Sequence, residues 1–404
     1  MIREYEPDGC LAAAMAALSF EDAVVLFNGP CGCYNMIAGT TYRHIPKKNE
    51  GLVDNRMECL FIEEEDFVLG TSKKVNRALD SIKGTGYGLA VLIDSPGVSV
   101  TGDVNWSFKS RTESPLLHIE TPIASKDFVK GFDKVVSQIL SVCEKTRRHV
   151  NERPSVNLLG CCPSYLGWRE SVAELTSLLD CAGIDVISTP GCGGKFSTLS
   201  NVLDADLNVP VIPEYCKDSC RTIEKMGGPE TIVDVPVPIG HSATLSWIET
   251  ICSELGTNPS KAVTSINAKC RSLSDAIRAS YYRDGFEGKL FSTDLPTSIA
   301  KSLSLWLEEY LGMIHSSMES ASFLYGNGYT QRRSPYSNAK FIPLEFLPRA
   351  DGLFIPRQVL GPTGTLYLIE ETYAGLRSYP AISARNGMIY HHMRTARMLS
   401  PPIP

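Results

Sequence analysis

Short β-branched or apolar runs alternate with helix-patterned segments along most of this 404-residue chain, and the alternation predicts an α/β fold of parallel sheets flanked by helices. Two further observations divide it. A polar stretch over 145–154 precedes a fresh strand-like run, and a long helical stretch over 260–282 leads into another. A chain of this length exceeds one ordinary core. The expected architecture is three Rossmann-like parallel-sheet domains around a central cleft, over 1–150, 151–283 and 284–404, with the last the least regular.

In order along the chain, residues 23–27 (Ala-Val-Val-Leu-Phe) read as a first buried strand. Residues 67–82 repeat apolar side chains at helical spacing, with Lys73, Lys74 and Arg77 on the polar side. The preceding Glu63-Glu64-Glu65-Asp66 complements that helix's dipole and needs no catalytic role. Strands are expected at 89–93 and 115–119, then in the second domain at 155–159, 184–188, 209–213 and 231–237, with helices over 169–179 and 242–255. In the third domain a strand over 290–293 precedes a helix over 296–311, marked by Pro296 at an early position and by Ile299, Leu303, Leu305, Trp306 and Leu307. Residues 325–340 form a polar, Gly-containing stretch expected to be a lid or an irregular loop.

Composition narrows the function classes. The chain is 43% hydrophobic and 21% charged, with formal net charge −6, a globular profile that argues against a nucleic-acid binder. No apolar run approaches the roughly 20 residues that span a bilayer, and the first residues lack a signal-peptide core, so a cytoplasmic protein is expected. In a reducing compartment the 13 cysteines are expected to be ligands, reactive thiols or buried small hydrophobes rather than disulfides. Burial is the expectation for Cys143, Cys181, Cys252 and Cys270.

The most informative segment is Asn28-Gly29-Pro30-Cys31-Gly32-Cys33, directly after the first strand. Gly29 and Gly32 let backbone approach something bulky, and thiolates bind soft metal, so an iron–sulfur cluster is the expected occupant. Other motifs carry less. Gly84-Thr85-Gly86-Tyr87-Gly88 precedes a strand, whereas a dinucleotide fingerprint follows one. Gly191-Cys192-Gly193-Gly194-Lys195 lacks the spacing of a phosphate loop, leaving a tight turn or a weak anion site at a helix N-terminus. Cys216 and Cys220 are spaced to share one face if the segment is helical, without a second pair at zinc-finger spacing, and Cys161-Cys162 reads as buried or pocket-lining. His391-His392 is a solvated helix end or a pocket-lining pair.

Four pieces in order resemble the nitrogenase component 1 superfamily, which spans the MoFe protein subunits, cofactor-assembly scaffold relatives, dark-operative protochlorophyllide and chlorophyllide reductases, and a reductive cyclase of tetrapyrrole coenzyme synthesis. They are Pro7-Asp8-Gly9-Cys10 with the small-residue helix after it; Asn28-Gly29-Pro30-Cys31-Gly32-Cys33, with Asn28 in place of the family's His; Glu63-Glu64-Glu65-Asp66-Phe67-Val68-Leu69-Gly70 with Lys73-Lys74; and Val91-Leu92-Ile93-Asp94-Ser95-Pro96 followed by Thr101-Gly102-Asp103-Val104. The resemblance covers residues 1–315 well and the remainder loosely. Two departures stand out. Ser95 falls on the family's third cluster cysteine, and no cysteine occurs near Phe291-Ser292, where the thiolate anchoring a MoFe-type cofactor falls.

The resemblance implies an electron-accepting catalytic component of a nitrogenase-like reductase, acting on a small or tetrapyrrole-like substrate. The alternatives are a scaffold for assembly of a metal cofactor and a cluster-free relative. Cys10 and Cys33 match the ligand positions of a 4Fe–4S or related cluster; Cys31 or Cys59 is a substitute, and Ser95 an oxygen ligand. N–H groups of residues 29–33 would bond the cluster sulfides. Two cysteines from each half of a twofold dimer would complete four ligands, unless a related component 1 subunit supplies the rest. The implied electron source is a separate ATP-dependent reductase of the nitrogenase iron-protein type. The substrate cleft would draw on Cys161, Cys162, Tyr165, residues 191–194, Ser292 and His391.

Overall fold

In this computed structural model, residues 7–45, 56–98, 114–120, 127–143, 150–279, 285–329, 339–346 and 357–377 are described. Three parallel sheets organise them, as the alternating pattern requires. The first contains β1 (Ala23–Asn28), β2 (Met57–Cys59), β3 (Leu89–Asp94) and β4 (Leu116–Ile119) in the order β2-β1-β3-β4. Its central strands, β1 and β3, are buried on both faces. Val25, Phe27, Val91 and Ile93 enter the main core, while Val24, Leu26, Ala90 and Leu92 join Val75 and Leu79 in a smaller cluster on the other side. The register sets Asn28 beside Asp94, Phe27 beside Cys59 and Leu92 beside His118, so the polar residues line up at one edge.

α1 (Gly9–Leu18) is buried along its whole length, because Ala12, Ala13, Ala14, Ala16 and Ala17 let it lie deep in the core. Asp8 caps it by accepting from the Leu11 amide at 3.0 Å. It crosses α5 (Phe128–Ser141) closely at Gly131, where a Cβ would come within 2.9 Å of the Gly9 Cα. α2 (Cys31–His44) follows β1. The helix expected over 67–82 is two helices, α3 (Glu64–Leu69) and α4 (Ser72–Ser81). Gly70 breaks them apart with φ +86, a conformation costly for any side-chain-bearing residue.

The second sheet orders β5 (Ser155–Leu159), β6 (Asp185–Ser188) and β7 (Leu207–Pro210) as β6-β5-β7, with α6 (Trp168–Cys181), α7 (Lys217–Lys225), α8 (His241–Leu255) and α9 (Ser260–Ala279). β7 starts and ends before the expected 209–213, and the chain turns through a short 3-10 helix, Pro213–Tyr215. Residues 231–237 form no strand. Only Thr231 bridges Asn208, Asp234 adopts a left-handed φ of 58°, and Pro236 has no amide to donate.

The third sheet, order β11-β10-β8-β9, contains β8 (Leu290–Asp294), β9 (Ile314–His315), β10 (Phe323–Asn327) and β11 (Lys340–Glu345). α10 (Thr297–Leu311) takes Pro296 as its N-cap rather than inside the helix, and α11 (Gly361–Arg377) closes the described chain. The third sheet is parallel like the first, but its register shifts between Gly326 and Asn327 and β9 is only two residues long. Part of the expected loop over 325–340 is strand; residues 330–338 lie outside the described residues. One continuous apolar cluster links the three sheets, from Cys10 and Phe132 through Leu158 and Tyr215 to Phe291 and Leu344. Among the described residues no helix is long and apolar enough to cross a membrane.

Candidate metal centre at the edge of the first sheet

Cys31 and Cys33 do not sit in a free loop. They occupy the first turn of α2, after Pro30 at the N-cap, and both are exposed. Pro30 fixes the entry and no side chain caps the helix, so first-turn amides remain available to anionic ligands. Asn35 Nδ2 donates to Cys31 Sγ at 3.4 Å. Cys59 ends β2, half-buried, where its Sγ donates to the Gly29 carbonyl at 3.5 Å and accepts from the Phe61 amide at 3.4 Å. Phe61 is held at φ +50, and Lys74 Nζ ties the Phe61 carbonyl (2.6 Å) to Asp66 (2.7 Å).

Cys10, in the first turn of α1, is buried, and its Sγ donates to the Asp94 carbonyl at 3.8 Å. Burial pushes its thiol well above the ordinary range, with Asp8, Cys33 and Asp94 adding to the shift. Burial likewise raises the Cys59 thiol; the Phe61 amide and Lys74 oppose that shift, and Cys31 and Cys33 reinforce it. The four thiols expected from the sequence thus belong to one electrostatic neighbourhood. A metal would hold them as thiolates, so loading requires their protons to leave.

Ser95 is buried beside them and its Oγ has no hydrogen-bond partner. Its amide donates to the Asn28 carbonyl at 3.0 Å. Gly29 presses on it: a Cβ at Gly29 would lie 2.8 Å from Ser95 Cβ and 2.9 Å from Ser95 Oγ. Gly32, by contrast, has nothing within 4 Å of its would-be Cβ. The two glycines have different reasons to be small: Gly29 admits Ser95, while Gly32 leaves open space between the exposed thiols.

A polar network missed by sequence reading underlies these groups. Asn28 Nδ2 donates to Asp94 Oδ1 at 2.8 Å and to Thr71 Oγ1 at 3.1 Å, and His118 Nε2 lies 2.7 Å from Asp94 Oδ2. The only signal in the sequence was a polar residue ending each of two apolar strands. Among the described residues, no three His, Cys, Asp or Glu side chains are placed to hold a metal ion together. An orphaned buried hydroxyl, open space at Gly32 and exposed thiols at an uncapped helix start fit part of an iron–sulfur ligand set.

The expected cleft residues divide. Cys161, Cys162 and Tyr165 are buried beyond the end of β5, Ser292 is buried within β8, and His391 lies outside the described residues. The loop of 191–194 opens on a cavity of 260 Å³ lined in part by Phe20, Ser188, Thr189 and Lys195. Its anion reading is overturned at the start of the 3-10 helix Phe196–Leu203, since the Asp22 carboxylate already accepts from the Phe196 amide at 2.5 Å and the Ser197 amide at 3.0 Å. Cys216, Cys220, Cys252 and Cys270 are buried, whereas Cys143 and Cys181 are only half-buried.

Comparison with known proteins agrees with this fold. The chain is similar to one component of the light-independent protochlorophyllide reductase of Synechococcus sp. (strain CC9311), 31% identical over 159 residues covering 36% of this chain and 30% of that protein. The counterpart from Rhodopseudomonas palustris (strain BisA53) is 33% identical over 141 residues, 34% of this chain and 26% of that one. The chain thus matches less than a third of the length of these relatives. Among solved structures, one titled "Nitrogenase Cp1 at pH 6.5" superposes with a TM-score of 0.73 at 19% identity, covering 93% of both chains, a likeness of fold. A second, "Nitrogenase Cp1 at pH 5", gives 0.70 at 14% identity over 98% of this chain and 90% of that one. The sequence pattern of nitrogenase component 1 type oxidoreductases matches residues 9–314, more than half the chain, and the protein belongs to that family.

Proposed function

We propose that this chain is the electron-accepting, substrate-reducing component of a nitrogenase-like reductase, with a tetrapyrrole-like substrate. The substrate class rests on the names of the protochlorophyllide reductase relatives. The observation that carries the proposal is the thiol edge itself: Cys31 and Cys33 exposed at the start of α2, next to buried Cys10 and half-buried Cys59. Cys10 and Cys33 hold an iron–sulfur cluster, with Cys31, Cys59 and the unpartnered Ser95 Oγ as further donors. When bound, the cluster supplies one-electron transfer. The chain's part is to fix the thiols, direct α2 amides toward anionic sulfur, and exclude water on the Cys10 side.

The missing ligands come from a second copy or a related subunit. The same region carries exposed Met36, Phe61, Phe67, Val68 and Leu69, the last two at 85% and 82% exposure, and α3 has no buried residue. An apolar surface of that kind beside a half-set of thiols suits a subunit contact. An ATP-dependent iron–sulfur reductase is the electron source, and domain divisions fall near residues 150 and 283. Anaerobic purification followed by turnover with an iron-protein-type reductase, ATP, reductant and protochlorophyllide tests this reading. Product formation that depends on Cys33 supports it. A protein carrying a cluster but inert with that substrate removes the tetrapyrrole assignment, and a protein that never binds iron removes the whole proposal.

A further inference from the structure

Glu345, the last residue of β11, is buried at 4% exposure, and among the described residues no cation pairs with it. Its Oε1 accepts from Tyr215 Oη at 2.5 Å and from Ser164 Oγ at 2.7 Å. Ser164 follows β5 and Tyr215 follows β7, so one carboxyl oxygen of the third sheet gathers hydroxyls from two loops of the second. Backbone bonds flank this point. Leu166 N donates to the Leu344 carbonyl at 3.1 Å, Phe346 N to the Ser164 carbonyl at 2.9 Å, and Tyr165 bridges Glu345 in antiparallel fashion.

Among the described residues, the surrounding groups offer no positive charge. Cys162 Sγ lies 3.1 Å from Ser164 Oγ; Tyr215 and Tyr165 are themselves pushed up by burial, and Asp294 at the end of β8 adds negative potential. Glu214 acts on Tyr165 in the same sense. Tyr325 of β10 and Tyr367 of α11 stay neutral, and His44 of α2, edge-on to Phe346, is kept neutral by burial. Among the described residues, a carboxylate here would face two hydroxyl donors and no counter-charge.

We propose that Glu345 is a proton-operated latch between the second and third sheets: as a neutral acid it keeps segments 164–166 and 344–346 zipped together, and on ionising it loosens them. Burial places the change in the neutral range, pushing the carboxyl up to about 7, while the Tyr215 and Ser164 hydroxyls pull it down. The ordinary carboxyl ionises near 4.3. The folded value is raised, so the stabilisation is fully present below that ordinary value and is lost as pH rises through about 7.

Hydrogen exchange of the Leu166 and Phe346 amides between about pH 4 and pH 8.5, corrected for intrinsic exchange, tests the latch on the full chain. Protection should fall by up to about tenfold per pH unit between the ordinary carboxyl value of about 4.3 and the midpoint in the wild type, and level off above it. Glu345→Gln should abolish that slope. Tyr215→Phe, which removes one donor to the carboxylate, should move the midpoint to higher pH, and it serves as the decisive variant if Glu345→Gln does not fold. A flat wild-type profile, an unchanged slope in Glu345→Gln, or an unmoved midpoint in Tyr215→Phe overturns the proposal.

Discussion

Gly29→Ala and Gly32→Ala, close neighbours at the entry to α2, should behave oppositely. An alanine Cβ at position 29 would stand 2.5 Å from Phe27 Cε1, 2.8 Å from Ser95 Cβ and 2.9 Å from Ser95 Oγ. Carbon atoms pack comfortably at about 3.5–4.0 Å, so one neighbour must retreat by about 1 Å. Phe27 is fully buried and Ser95 is tied through its amide to Asn28, which leaves the α2 entry to give way. Overpacking of this kind costs about 1–3 kcal/mol. For a domain of about 150 residues that lowers the melting temperature by about 2–12 °C. At position 32 the new methyl meets nothing within 4 Å, and the change should be nearly silent in stability. Thermal unfolding of both variants, read alongside iron content after anaerobic purification, makes the comparison. Ser95→Gly in the Gly29→Ala background removes two of the three contacts and should restore part of the loss. Equal melting temperatures for Gly29→Ala and Gly32→Ala would refute the packing argument.

Other sites give further expectations. Asp22→Ala removes the carboxylate that accepts from the Phe196 and Ser197 amides, and should cost about 1–2 kcal/mol in denaturant unfolding. Glu174→Ala strands Gln358, Thr363 and Lys269, which all donate to that buried carboxylate at 2.6–3.0 Å, and should cost about 3 kcal/mol. His44 is held neutral by burial, its folded value lowered to about 4, so its contribution is present above the ordinary value of about 6.5 and is lost as pH falls toward 4. Melting temperature measured across that window should decline less steeply in His44→Phe than in the wild type; identical slopes would exclude His44 as the cause.

The two-sided burial of β1 and β3 made them legible, because such strands read as nearly unbroken apolar runs. β2, three residues long, is too short to announce itself, and β11 contains Pro343 and opens on Lys340, both poor strand signals. The opposite error arose at 231–237, where β-branched residues promised a strand that Asp234 and the flanking prolines prevent. Gly70 was visible in the sequence, but its left-handed φ, and hence the break between α3 and α4, was not. At the site, the thiol positions were readable from local motifs. The Asp94–His118 and Glu345–Tyr215 contacts join residues 24 and 130 positions apart; the β3–β4 register makes the first, and packing of the second sheet's loops against β11 makes the second.

The central claim is that Cys10 and Cys33 grip iron at a contact between two chains. Iron and acid-labile sulfide counted per chain in the anaerobically purified oligomer, with its EPR spectrum and its mass in solution, test this most directly. About one four-iron cluster per two chains is expected, lost in Cys10→Ala and in Cys33→Ala and kept in Cys181→Ala. A full iron complement in Cys33→Ala, or a cluster carried by a lone monomer, would contradict the shared site.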